Sequence, residues 1–174
     1  MTLKLTYIGN PILKTPTRPV TEFGEAITSH LPRLLEIMSE EGGVGLAANQ
    51  AGLDLRFAIV IANVDDDDRE TNEIIVLANP EIVEFSKEEC SIEEGCLSIP
   101  GLREDVTRSE RIRVRFQDAD GNPGELDTDG FLARVIQHEI DHLDGVFFVE
   151  RLGVTKKALL KKKIDGIRAE FAGR

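Results

Sequence analysis

Two stretches of the chain carry hydrophobic residues at every third or fourth position, which predicts amphipathic helices. The first runs over residues 25–41, and Gly42 and Gly43 would end it. Its hydrophobic residues are Ile27, Leu31, Leu34, Leu35 and Met38. The second helix begins after Thr155. The hydrophobic residues that share one of its sides are Leu160, Ile164, Ile167 and Phe171.

Strands are predicted in the middle of the chain, where apolar residues run together or alternate with polar ones. Residues 56–62 form an apolar run, and 74–78 and 81–85 form two more, separated by Asn79 and Pro80. Between 111 and 116, arginines alternate with Ile112, Val114 and Phe116, and a turn over 120–124 follows. Strands gathered in the middle with helices around them predict an α+β fold.

Length and charge limit the classes of function. A chain of 174 residues predicts one compact catalytic domain over 1–174. It has 32 acidic and 21 basic residues, and a net charge of −11 disfavours direct reading of nucleic acids. We find no membrane span and no signal peptide, so we expect a cytoplasmic protein. The acidic stretch 65–70 predicts a solvated loop, and two cysteines predict no disulfide framework.

A helix predicted to begin near residues 127–129 and to end before Gly145 carries the candidate chemistry. Residues 138–142 have the pattern H-E-x-x-H, which places His138 and His142 on one helical face, where they can bind the same ion. The projected helix also puts Glu139 in the middle of the apolar face. Because an ionised carboxylate is costly to bury alone, we expect a metal with its bound water beside it. The polar residues of the opposite arc are Arg134, Gln137, Asp141 and Asp144.

A catalytic metal usually has three protein ligands, so a third is expected outside this helix. Upstream, Cys96 lies in a segment between Gly95 and the pair Pro100-Gly101. Downstream, Glu150 is an alternative, and Asp144 lies on the wrong face of the helix. The residue types alone leave the choice between Cys96 and Glu150 open.

Three segments of the chain resemble the signature motifs of the peptide deformylase family. They are G-V-G-L-A-A-N-Q at 43–50, E-G-C-L-S at 94–98 and Q-H-E-I-D-H at 137–142. Their order and approximate spacing also fit, and the similarity covers nearly the whole chain, including residues 8–13. The resemblance implies an α+β fold in which the H-E-x-x-H helix is surrounded by antiparallel or mixed sheets, with helices near both termini.

The resemblance also implies an activity, hydrolysis of the formyl group from N-formyl-methionyl nascent peptides. It implies that a divalent metal is bound by Cys96, His138 and His142, with Fe²⁺ as the physiological ion and Zn²⁺, Ni²⁺ or Co²⁺ as substitutes. Glu139 is implied as general base and acid, with the Gln50 amide and the Leu97 backbone N–H as oxyanion donors. The implied substrate-binding residues are Val44, Gly45, Ile92, Arg103, Phe131 and Val135, and Arg134 is predicted at the pocket rim.

Other interpretations of these patterns remain. The H-E-x-x-H pair with Glu150 would suit a peptidase that cuts internal bonds, and a closed metal site would only stabilise the fold. The segment Gly43-x-Gly45 is a poor dinucleotide loop, because Ala48 replaces the third glycine and a helix precedes the segment. The resemblance also suggests that the lysine-rich C-terminal helix contacts the ribosome, whereas a solvated face is the simpler interpretation. Its lysines are Lys156, Lys157, Lys161, Lys162 and Lys163.

Overall fold

The computed structural model describes residues 3–64, 66 and 71–173, so the predicted acidic loop at 65–70 lies outside the described residues apart from Asp66. Within the described ranges, seven strands form two antiparallel sheets. Their bounds are β1 Gly45–Ala47, β2 Phe57–Ile61, β3 Ile74–Phe85, β4 Glu89–Cys96, β5 Ile99–Ser109, β6 Arg111–Gln117 and β7 Pro123–Asp129. The larger sheet has the order β1-β2-β3-β6-β7, and β4 and β5 form a separate hairpin.

Four α-helices accompany these sheets in the described part of the chain, and they confirm the predicted α+β class. They are α1 Glu25–Thr28, α2 Leu31–Glu40, α3 Gly130–Leu143 and α4 Val154–Glu170. Single 3₁₀ turns occur at Pro11–Lys14, Ala48–Ala51 and Phe148–Arg151. None of the described helices combines the length and apolar character that crossing a membrane requires.

The predicted helix over 25–41 is in fact two helices, α1 and α2, which meet near His30. Pro32 lies in the first turn of α2. Proline has no N–H to bond the carbonyl of Thr28, and its ring would clash with that carbonyl inside a continuous helix. The chain therefore starts a new helix at this point. The predicted end is confirmed, because Gly42 has a positive φ of 66° just after α2.

The two strands predicted over 74–78 and 81–85 are one long strand, β3. Its pairing with β6 shifts in register between Ala78 and Glu81. Asn79 has a φ of 49° there, and its side chain bonds the backbone N–H and C=O of Val20. Pro80, which cannot donate to a ladder, falls within this irregularity. The strand is thus bent at the Asn-Pro pair without ending.

Helix α3 lies at the centre of the fold, and one of its faces packs on the five-stranded sheet. Ala133, Ile136 and Ile140 are buried in the same apolar cluster as Leu46 and Ile59 of that sheet. A second apolar cluster joins the β4–β5 hairpin to the C-terminal part of the chain. Its members include Leu13, Ile99, Leu102, Phe148 and Ile167. The hairpin was not predicted, and this second cluster packs it against the C-terminal part of the chain.

Candidate active site

The H-E-x-x-H segment forms the last two turns of α3. The helix follows Asp129, which makes no side-chain cap hydrogen bond, and Gly145, with a φ of 74°, lies just beyond its end. His138 and His142 are one turn apart, and their Nε2 atoms are 3.1 Å from each other. The predicted convergence of the two imidazoles on one face is therefore confirmed.

The β4–β5 turn brings a sulfur atom to these imidazoles. Cys96 is the last residue of β4, and its Sγ lies 3.1 Å from Nε2 of His142. The ligand atoms of Cys96, His138 and His142 all lie within 4.8 Å of one another. Glu150, the alternative third ligand, instead accepts hydrogen bonds from Lys14 and from the Phe147 N–H. The structure therefore brings Cys96 to the histidine pair and holds Glu150 in other contacts.

A buried carboxylate fixes the first histidine. Nδ1 of His138 lies 3.0 Å from Oε2 of Glu94, which leaves Nε2 facing the sulfur and the second imidazole. Arg108 contacts both oxygens of Glu94, at 2.6 and 3.0 Å, and Arg134 bonds Oε1 at 2.7 Å. Burial disfavours the Glu94 carboxylate, but hydrogen bonds from His138 and Arg108 outweigh burial and lower its pKa to about 2.

The two imidazoles have opposite pKa shifts. Burial lowers the pKa of His138, but hydrogen bonds to Cys96 and Glu94 outweigh burial and raise that pKa to about 10. Burial and the nearby charge of His138 hold the pKa of His142 well below its ordinary value. The site therefore attracts positive charge. A divalent cation can supply that charge in place of the proton on His138.

Glu139 is buried beside the three ligand atoms. It is 4% exposed, and its Oε2 atom has no hydrogen-bond partner among the described residues. Burial raises the pKa of Glu139 to about 7. A Cβ atom at Gly45 would lie 2.6 Å from Oε1 of Glu139, so only glycine leaves the carboxylate this position. A carboxylate with one unpartnered oxygen, next to one sulfur and two imidazole nitrogens, suits a divalent metal with an open position.

Gln50 points its amide into the same space. Its Oε1 accepts a hydrogen bond from the Ala47 N–H at 2.9 Å, and its Nε2 donates to Oγ of Ser98 at 3.1 Å. Nε2 is also 3.7 Å from the sulfur of Cys96. Because the Ala47 N–H can only donate, its bond fixes which end of the amide is the oxygen and which is the donor. An N–H group is thereby held on the side of Cys96.

A cleft of about 540 Å³ opens onto this cluster. Of the residues predicted to bind substrate, five line it: Val44, Gly45, Arg103, Phe131 and Val135. Leu97, a predicted oxyanion donor, also lines the cleft. Ile92 does not belong to this lining, and it is 39% exposed on β4. Its predicted contact with the methionine side chain has no support from this geometry.

Three of the four polar residues on the opposite arc are buried, and Asp144, just beyond the end of α3, is exposed. Arg134, Gln137 and Asp141 are 2%, 6% and 5% exposed, and we refer to these three residues as the polar stripe. Arg134 was predicted at the rim of the pocket. It does line the cleft, and it is also buried against the hairpin, where it donates to the backbone carbonyls of Val106 and Cys90.

Sequence reasoning missed several polar residues that support the site. They are Asn49, Glu94, Ser98, Arg108 and Asp141. Glu94 and Ser98 flank Cys96 in the second motif, and their place in that motif was the available signal. Asn49 follows the glycine-rich segment and bonds the carbonyl of His142 at 2.6 Å. Arg108 had no signal, because its pairing with Glu94 depends on the unpredicted hairpin.

The arrangement of these side chains belongs to the metal-dependent hydrolases, in which a helix supplies two imidazoles and a neighbouring carboxylate. Comparison with known proteins narrows this class. The model of the family described as polypeptide deformylase matches residues 2–158, and the chain belongs to that family. It is therefore an enzyme that removes the N-terminal formyl group from nascent polypeptides.

Individual relatives agree with this assignment. A peptide deformylase of Chromobacterium violaceum is 43% identical over 162 residues, which is 93% of each chain. The crystal structure of peptide deformylase from Thermus thermophilus has a TM-score of 0.86 and 40% identity, and covers 96% of this chain and 95% of that one. A Synechococcus elongatus peptide deformylase in complex with actinonin has a TM-score of 0.82 and 36% identity, and covers 92% and 87%.

Proposed function

We propose that this chain deformylates N-formyl-methionyl peptides with a divalent metal bound by the thiolate of Cys96 and the Nε2 atoms of His138 and His142. The convergence of these three ligand atoms within 4.8 Å, beside the unpartnered Oε2 atom of Glu139, carries the proposal. When bound, the metal lowers the pKa of a water molecule toward neutrality and polarises the formyl carbonyl. Cys96, His138 and Glu139 belong to two separate elements, so the fold itself assembles the site.

Glu139 would act as general base and then as general acid. Its pKa of about 7 suits a group that takes a proton and returns it near neutral pH. It takes a proton from the attacking water, whose oxygen forms a bond to the formyl carbon. It then delivers a proton to the leaving amine as the carbon–nitrogen bond breaks, so the products are formate and the free amino terminus.

Two donors would stabilise the negative charge that develops on the formyl oxygen. One is Nε2 of Gln50, whose amide orientation is fixed by Ala47 and Ser98. The other is the backbone N–H of Leu97, next to Cys96 in the β4–β5 turn. A well-placed donor of this kind contributes about 3 kcal/mol to the stabilisation of a transition state.

The substrate would lie in the cleft along β1. This strand is at the edge of the larger sheet, so Val44 and Gly45 can offer backbone groups to an extended peptide. Phe131 and Val135 supply apolar surface for the methionine side chain, and Arg103 lies nearer the mouth of the cleft, paired with Glu93. A confined space beside the ligand atoms would admit formyl, whose carbon carries only hydrogen, and reject acetyl.

Fe²⁺ is the metal we propose in the cell, with Zn²⁺, Ni²⁺ or Co²⁺ as working substitutes. One thiolate and two imidazoles suit each of these ions, so the ligand types do not by themselves select one of the four metals. An Fe²⁺–thiolate site would lose activity in air. Comparing aerobic and anaerobic preparations by metal analysis and formate release tests this choice.

A contact with the ribosome through α4 is a further part of the proposal, and it would place the enzyme in the cytoplasm with its nascent substrates. Lys157, Lys161, Lys162 and Lys163 are exposed on this helix, whereas Lys156 pairs with Glu104. Ile167 of α4 is buried, so truncation after Gly153 would also uncover the core. Charge reversal of Lys162 and Lys163 is the cleaner test, and unchanged co-sedimentation with ribosomes at low salt would refute the contact.

The central experiment measures formate release from a short formyl-methionyl peptide under anaerobic conditions. We expect turnover that a chelator abolishes and added Fe²⁺ restores, and no release of acetate from the acetyl-methionyl control. Cys96→Ser should lose metal affinity and activity together. If Cys96→Ser keeps both, the thiolate is not a ligand and the proposed site is wrong.

A further inference from the structure

The two halves of the proposed metal site stand on elements that are far apart in sequence. Cys96 belongs to the β4–β5 hairpin, whereas His138 and His142 belong to α3. The distance of 3.1 Å between the sulfur and Nε2 of His142 therefore depends on how the hairpin docks on the helix. A contact that fixes this docking would control the spacing of all three ligand atoms.

The polar stripe of α3 supplies such contacts. Nε2 of Gln137 donates to the carbonyl of Ser109 at 3.0 Å, and Asp141 accepts from Nη1 of Arg108 at 2.9 Å. Arg134 reaches both strands of the hairpin, because Nη2 donates to the carbonyl of Cys90 in β4 and Nη1 to that of Val106 in β5. These bonds are 2.8 and 2.7 Å long.

Arg134 differs from Gln137 because it also contacts Glu94, the carboxylate that orients the proposed metal ligand His138. Its Nη1 donates to Oε1 of Glu94 at 2.7 Å, while Oε2 of Glu94 faces Nδ1 of His138 at 3.0 Å. The side chains of Arg134 and Glu94 are 2% and 5% exposed, so water does not compete for these bonds. One guanidinium thus holds β4, β5 and the partner of His138 at the same time.

We propose that Arg134 is a positioning residue that sets the spacing of Cys96 and His138 by tying the hairpin to α3 and by holding Glu94. The inference rests on the proposed function, in that Cys96, His138 and His142 are taken as the metal ligands. A planar guanidinium can donate in several fixed directions, whereas the single ammonium of lysine cannot reach two carbonyls and a carboxylate in the same geometry.

The test is a titration of the metal-free full chain with Co²⁺. The thiolate-to-Co²⁺ charge-transfer absorption measures how much Co²⁺ is bound. Arg134→Lys keeps the buried positive charge beside Glu94, and we expect it to weaken Co²⁺ binding roughly 10- to 100-fold and to shift the absorption band. Gln137→Met is the matched control, because it removes a bond from the same stripe without touching Glu94. We expect less than a threefold change in its Co²⁺ affinity.

A double-mutant cycle with Glu94→Gln separates positioning from general stability. If Arg134 acts in part through Glu94, the loss of Co²⁺ affinity caused by Arg134→Lys should be clearly smaller in the Glu94→Gln background, where only its bonds to the two hairpin carbonyls are left to lose. Additive losses, equal losses in Gln137→Met, or an unchanged band in Arg134→Lys would each overturn the inference. Failure of the proposed function gives a different result, since wild-type protein would then show no thiolate band and Cys96→Ser would bind Co²⁺ normally.

Discussion

Two faces of α3 bury polar side chains, and they differ in how those side chains are satisfied. On the cleft face, Oε2 of Glu139 and Nδ1 of His142 are buried without a hydrogen-bond partner among the described residues. On the hairpin face, every member of the polar stripe is bonded. Asp141 accepts from both Arg108 and Arg151, and within the described part of the chain Nε is the one nitrogen of Arg134 without a partner.

This difference in hydrogen bonding indicates that one face of α3 serves the reaction and the other face stabilises the fold. A buried polar atom without a partner costs about 1–3 kcal/mol, so such atoms persist where a ligand or a reaction uses them. Paired buried charges, in contrast, become costly only when one partner is removed. Substitutions on the cleft face should therefore change turnover more than stability, and those on the hairpin face, apart from Arg134 with its contact to Glu94, should do the reverse.

The sharpest test of the cleft face is Glu139→Gln. The amide keeps the shape of the side chain but cannot take a proton from water, so we expect kcat to fall roughly 10²- to 10⁴-fold. Metal content and thermal stability should stay at the wild-type level, because no paired charge is lost. Formate release, metal analysis and a melting curve measure the three quantities, and residual activity above a tenth of wild type would exclude Glu139 as the base.

On the hairpin face, the corresponding change is Asp141→Asn. It removes a charge whose side chain is 8% exposed and which faces two arginines. Leaving Arg108 without one of its buried partners should destabilise the protein by about 3 kcal/mol. Urea unfolding followed by circular dichroism measures this loss. A change below 1 kcal/mol would show that the stripe does not stabilise the fold as its pairing suggests.

Gln50→Leu tests whether a residue outside α3 contributes to the reaction in the cleft. The leucine removes the donor aimed past Cys96, and we expect kcat to fall roughly 10²-fold with little change in KM. The Ala47 N–H would lose its acceptor, which costs about 1 kcal/mol of stability. Steady-state kinetics and urea unfolding separate the two effects, and a kcat within threefold of wild type would remove Gln50 from the oxyanion site.

The residues of the cleft face could be predicted from the sequence, because the pattern that identifies them lies within one short segment. The helical period places Glu139 in the middle of the apolar face that carries both histidines, and the structure buries it there at 4% exposure. The order of the three motifs also indicated that Cys96 joins this face, although spacing alone did not exclude Glu150. A constraint carried by residues within two helical turns needs no knowledge of the remaining fold.

The contacts of the hairpin face could not be predicted, because they join residues that are far apart in the sequence. A helix projection gives the angle of Arg134 or Asp141 on the helix but does not show that a second surface packs against that side. That surface is the hairpin, which has charged residues such as Glu93, Arg103 and Asp105 along its strands. Because these strands are so polar, the hydrophobic pattern of the sequence did not predict them. The pairing of Arg108 with Asp141, 33 residues apart, depends on how the hairpin packs against α3.

Asp144→Asn is the smallest expected effect and the strictest control for Asp141. Asp144 lies three residues further along, and its Oδ1 accepts from Nη1 of Arg56 at 2.6 Å, but its side chain is 48% exposed. Water screens this pair and can replace either partner, so we expect its loss to change stability by roughly 0–1 kcal/mol. The same urea unfolding experiment on both variants compares one chemical change at two depths. Equal losses would mean that burial is not what makes the pairing of Asp141 matter.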